Sequence, residues 1–153
     1  MMKKICSKSA ALFTAISLAF GIAEAAVPVS SSGQATLSIT AVSTNSKSTL
    51  AKCRNTLANC VVTLTLMPPN QGFVIIENTS NVDAINVQAI LPSEFNDVNQ
   101  VSICEVLKAH ESCSLIFAPG SNTQVHPQTT IPIKGNNTST VFFDMRVLEL
   151  GGS

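Results

Sequence analysis

Tryptophan and tyrosine are missing from this chain, which leaves seven phenylalanines and two histidines as its only ring-bearing side chains apart from proline. Without indole or phenol groups it lacks the amphipathic platforms on which sugars and single-stranded bases stack, so lectin-like and single-strand binding are not expected. Charge is scarce as well. Nine basic residues stand against nine acidic ones in 153 residues, with no run of like sign. That removes the electrostatic footprint of a nucleic-acid binder or of a protein held to an anionic membrane surface. No glycine-rich phosphate loop and no G-x-S-x-G elbow occur.

The two histidines do not repair this poverty of chemistry. His110 and Glu111 lie between Cys104 and Cys113, a donor set that zinc accepts in principle. The spacing matches no zinc pattern, and oxidation of the thiols would remove two ligands. A Ser-His-Asp arrangement built from His126 and Asp144 has no motif behind it, and His126 beside Pro127 reads as a loop histidine at the surface. No catalytic residue, cofactor, metal or small-molecule ligand is therefore expected, and the chain reads as non-enzymatic.

What is present begins with an address. Lys3, Lys4 and Lys8 precede an apolar stretch, Ala10 to Ile22, and Ala23-Glu24-Ala25 places small residues where a signal peptidase reads them. Residues 1–25 are read as a signal peptide cleaved between Ala25 and Ala26. The apolar stretch of about 13 residues is shorter than the roughly 20 a spanning helix needs, so no membrane span is expected after removal. Removal leaves six basic against eight acidic residues and takes Cys6 away with the leader. Residues 26–33, with Pro28 and three serines, read as a flexible lead, and residues 34–150 as a single domain.

Four cysteines remain: Cys53, Cys60, Cys104 and Cys113. An even number in an exported chain indicates disulfides, and three pairings are open. Local closure, Cys53 with Cys60 and Cys104 with Cys113, is favoured because each pair brackets a short polar segment. A bridge between sheets of the antibody kind lacks the tryptophan that packs on it.

Alternation of period two then marks the strands. It runs through Ala35, Leu37, Ile39 and Ala41, and through Val62, Leu64 and Leu66 until Pro68-Pro69-Asn70 stops it. Ser43 to Asn59 reads as a pinned surface loop with a short helical turn at Ser48 to Lys52. Phe73 to Glu77 reads as a central strand, and Ile85, Val87, Ala89 and Leu91 as one face of the next. Asn78 to Asp83 is a turn by its Asn and Ser content, a reading preferred over a glycan acceptor at Asn78. Phe95 to Val98 is a crossing segment. Val101 to Val106 and Ser112 to Phe117 are expected to form a hairpin tied across by Cys104 and Cys113. Pro119 to Asn122 turns the chain, and Pro132 places the Thr129 to Lys134 strand at an edge or a bulge. Ser139 to Leu148 is the last strand, with Val141, Phe143, Met145 and Val147 inward and Phe142 outward as a candidate interaction surface. The expected fold is all-β, an antiparallel sandwich of seven to eight strands.

The run ENTSNVDAINVQAILP, a following Cys104, ESCSLIFAPGS and TIPIKGNNT resemble the immunoglobulin-like repeat domains of bacterial exported and surface proteins, several of which have no assigned function. The likeness spans about Gly72 to Val147, and the part holding Cys53 and Cys60 departs from it. The resemblance implies an immunoglobulin-like sandwich with a Cys104–Cys113 disulfide, in a periplasmic, cell-surface or secreted assembly. Residues and resemblance together give an expected function: an exported module that binds an unknown protein partner or serves as envelope structural material. A fibre or pilus-type subunit, or a periplasmic chaperone, working by strand exchange is the alternative, and an enzyme or enzyme inhibitor comes third.

Overall fold

Side chains that alternate along an extended backbone give each strand one face to bury, and here two sheets bury those faces against each other. The computed structural model describes residues 33–43, 50–53 and 60–149. The signal peptide 1–25, the Ala25–Ala26 cleavage point and the lead up to Ser32 lie outside them. Ten strands follow in order: β1 Leu37–Ser43, β2 Leu50–Lys52, β3 Val61–Thr65, β4 Gly72–Asn78, β5 Ala84–Ala89, β6 Val98–Gln100, β7 Cys104–Leu107, β8 Ser112–Pro119, β9 His126–Lys134 and β10 Val141–Leu148. The first sheet has the order β2-β1-β4-β8-β6 and the second β3-β10-β9-β5-β7. The only helical element among the described residues is a 3-10 turn, Ser93–Phe95.

The core fills the space between the sheets. Val42, Val74, Ile76, Leu115 and Phe117 come from the first, and Val62, Leu64, Val87, Ile131, Ile133, Phe143, Met145 and Val147 from the second; all are fully buried. Phe117 and Phe143 meet across the layers with ring centroids 5.6 Å apart. Each large side chain so buried stabilises the fold by roughly 1.5–3 kcal/mol before chain entropy is set against it. Gly72 lets β4 approach the opposite layer, since a Cβ there would lie 2.5 Å from Val62 Cγ1 and 2.8 Å from Leu64 Cδ2.

Several expectations need correction. The strand count is ten because β2 lies inside the expected surface loop, at the end of the expected helical turn, and β6 overlaps the expected crossing segment. Three residues are too few to carry a periodic signal; β2 and β6 exist because β1 and β8 offer open ladders. The sheets are not wholly antiparallel, since β3 runs parallel to β10. Strict alternation also fails twice. A register shift between Ile39 and Ala41 brings Val42, in place of Ala41, opposite Val74. In β5, Asn86 adopts φ 52°, a left-handed conformation that Asn tolerates. Ala84 and Val87 are then both buried, while Ile85 is half-buried opposite the exposed Val106.

The expected hairpin of Val101 to Val106 with Ser112 to Phe117 does not form. β7 pairs with β5 in the second sheet, and β8 pairs with β4 and β6 in the first. The Cys104–Cys113 disulfide therefore joins the two layers. Cys53–Cys60 does the same: the Cys53 N–H donates to Thr40 O in the first sheet, and the Cys60 carbonyl accepts from Asp144 N in the second. The locally closed pairing is present, but both bridges hold sheet to sheet. Pro132 sits in a strand flanked on both sides. Its carbonyl accepts from Ile90 N, just past the end of β5, so its missing N–H faces the place where that neighbour leaves the sheet.

Candidate functional site

His126 is the first residue of β9 and is not the surface loop histidine that the sequence suggested. Its ring is mostly buried, stacked against Phe95 at 4.6 Å between centroids. Nε2 lies 2.8 and 2.9 Å from the two oxygens of Asp97. Burial pushes the Asp97 carboxyl up, but the Gln124 N–H at 2.8 Å and the His126 ring together hold it below its usual value. The Asp97 carbonyl accepts from Gly120 N and from Thr123 Oγ1. One residue thus ties the Gly120–Gln124 loop, β9 and the 3-10 turn together. Asp144, the other carboxylate considered for His126, instead accepts from Gln128 Nε2 at 2.7 Å and Thr130 Oγ1 at 2.8 Å. No hydroxyl bonds to the His126 ring among the described contacts, so the pair has the geometry of a structural latch.

That latch carries a pH dependence. A carboxyl whose folded pKa is depressed contributes stability above its unfolded pKa, about 3.9, and loses it as pH falls through the lower folded value. Asp97→Asn is therefore expected to cost about 1–2 kcal/mol at neutral pH. The gap between variant and wild type should narrow below about pH 4. Urea denaturation at stepped pH measures both; a gap independent of pH would show that the carboxylate charge contributes nothing.

The Asn78 to Asp83 turn is built by its own side chains. Asn78 is fully buried, donating through Nδ2 to Val82 O at 2.7 Å and Leu107 O at 3.1 Å, and its Oδ1 accepts from Ser80 N and Oγ. An amide so used is closed to glycan attachment. Asp83 accepts from Lys108 Nζ at 2.9 Å and from Ala109 N at 3.0 Å. Those bonds lower the Asp83 carboxyl, and the bond to Asp83 raises Lys108. His110, at φ 61°, lies 2.8 Å from Asn81 Oδ1, and both neighbouring cysteines are in the disulfide. Among the described residues no three His, Cys, Asp or Glu side chains gather as metal ligands.

What remains exposed is apolar surface and sheet edge. Phe142 is 49% exposed on β10 and Ile90 53% exposed just past β5. Phe142 stands opposite Pro132, and Pro132 adjoins Ile90. These three side chains form a row on the outer face of the second sheet, across β10, β9 and the residue that follows β5. Val106, on β7 at the end of the same sheet, is also exposed. At the opposite end β3 is bordered by the turn at Met67 to Gln71. There the Asn70 side chain donates through Nδ2 to Thr63 O at 3.2 Å, and its Oδ1 accepts from Thr65 N at 2.6 Å.

The Phe142 position agrees with the outward placement expected from alternation. Asp97 and Asn70 were not singled out: Asp97 is 29 residues from His126, and no local pattern connects them. Asn70 stood only as part of a strand-ending Pro-Pro-Asn. No helix of the described residues is long and apolar enough to cross a membrane. No protein-family model and no curated protein sequence matches this chain.

Proposed function

We propose that this chain is an exported, non-enzymatic immunoglobulin-like module that works by protein contact. The observation that carries the reading is the Phe142–Pro132–Ile90 row, in which the exposed Phe142 of β10 and the exposed Ile90 just past β5 flank the half-buried Pro132 of β9. Surface of this kind costs solubility and repays it when a partner covers it. The immunoglobulin-like assignment draws support from strand order. β1-β4-β8-β6 and β10-β9-β5 match the ABED and GFC sheets of that architecture. β7, which precedes β8 and extends the second sheet beyond β5, departs from the seven-strand plan. Two disulfides support export to an oxidising compartment, where a periplasmic, surface or secreted protein keeps them. Residues 1–25 serve as the signal peptide, with Ala26 as the mature N-terminus.

The strand-exchange alternative, a fibre subunit or chaperone, needs an open acceptor groove. β10 is paired on one side with β9 and on the other with β3, which weighs against the final strand as that acceptor.

A photo-crosslinking residue at position 142 tests the contact reading in the native host. A discrete protein adduct is expected from position 142, lost when Ile90→Asp is added. None is expected from the exposed Asn99 on the first sheet. Absence of any adduct from a folded, exported protein would overturn the proposal.

A further inference from the structure

Among the described residues β3 ends the second sheet, and its own residues carry none of the usual defences of an edge. Val61 to Thr65 contains no charge, no proline and no bulge, and the wider run Cys60 to Met67, CVVTLTLM, is uncharged and rich in β-branched residues. Such a segment pairs readily with its own kind when its backbone is open. Leu66 N donates to Leu148 O, and Asp144 N donates to Cys60 O. The even-numbered backbone groups of the strand therefore face β10, and those of Val61, Thr63 and Thr65 face outward.

Of these outward groups, the Thr63 carbonyl and the Thr65 N–H are both occupied by one side chain. Asn70 offers a donor to the Thr63 carbonyl and an acceptor to the Thr65 N–H, the same two functions that a neighbouring strand supplies from its main chain. Thr65 Oγ1 braces the turn, reaching Pro68 O at 2.7 Å and Asn70 Oδ1 at 3.1 Å. We propose that the Met67–Gln71 turn is a cover that closes β3 against strand addition, and that the strand it excludes is β3 of a second copy of this chain.

The second copy is the fitting occupant because the edge is self-complementary. Two antiparallel β3 strands centred on Thr63 would set Val61 against Thr65 of the second copy and Thr63 against its own equivalent. All the outward groups would then be shared in about six hydrogen bonds. Neither β3 strand holds a charge of its own, and the guanidinium nearest the edge, Arg146 on β10, is engaged through Nε with Thr63 Oγ1 at 3.0 Å.

Asn70→Ala removes both bonds at once. The wild type is expected to sediment as a monomer, and folded Asn70→Ala as a species whose mass about doubles with rising concentration. Adding Val61→Lys, a charge on the bare edge, should return it to monomer. Adding Phe142→Asp should leave the dimer intact. If Asn70→Ala does not fold, Asn70→Ser, which adds no charge and is too short to hold both Thr63 O and Thr65 N, carries the same test. Folded variants that remain monomeric would overturn the proposal, as would a dimer reversed by Phe142→Asp and not by Val61→Lys. Failure of both Asn70 variants to fold would also overturn it, since Asn70 would then be a requirement of the fold.

Discussion

Phe143→Ala should lower the stability of the folded state by about 3–5 kcal/mol, whereas Phe142→Ala, one residue earlier, should change it by only about 0.5 kcal/mol. The two side chains are chemically identical and leave the same strand on opposite faces. Phe143 is fully buried against Phe117 of the other sheet, and its truncation leaves a cavity that the surrounding Ile131, Ile133 and Met145 cannot fill without leaving their own positions. Phe142 is half in water already. Paired urea denaturation curves measure the difference. Equal costs would mean that β10 lies one residue out of the register described, because a single-residue slip exchanges the two faces. A large loss from Phe142→Ala alone would mean that its ring is covered by something intramolecular.

Joint replacement of Cys104 and Cys113 by alanine should cost about 2–3 kcal/mol, the chain-entropy value for a closed loop of this length. The distribution of the loss identifies what the bridge does. Among the described residues β7 is the last strand of its sheet, paired in the ladder with β5 alone, bonded at Leu107 O by Asn78 Nδ2 at the end of β4, and tied by the disulfide to β8 of the other sheet. Amide exchange at Glu105 and Leu107 should therefore accelerate far more than at Leu115, whose strand stays clamped between β4 and β6. Had the two cysteines faced each other across a hairpin, both strands would fray together. Uniform acceleration would thus refute the inter-sheet role, and no acceleration would show β7 to be held by packing at Leu107 and by the Asn78 bond to its carbonyl.

The latch at Asp97 and the cover at Asn70 share a property that explains why sequence reading passed over them. Each is a single polar residue whose importance lies in backbone groups it satisfies elsewhere: Gly120 and Gln124 for Asp97, Thr63 and Thr65 for Asn70. A motif has residue identity at fixed spacing; a backbone amide has no identity to read. Phe142 differs because exposure on a strand follows from parity alone once Phe143 is assigned to the core. The turn at Asn78 was legible for a related reason, since Asn and Ser bond to backbone only a few residues away.

Composition and alternation were enough to determine an all-β chain and the faces of β3 and most of β10, and to favour local closure among three open cysteine pairings, because all of these depend on neighbours along the backbone. Tertiary structure alone decided which strands became partners. Ser112 to Pro119 met Gly72–Asn78 and not the segment just before it, β3 ran parallel to a strand about eighty residues away, and two short-range disulfides became ties between layers. Strand pairing is settled by which buried faces can be packed together in three dimensions, and hydrophobic periodicity says that a face is buried without saying against what.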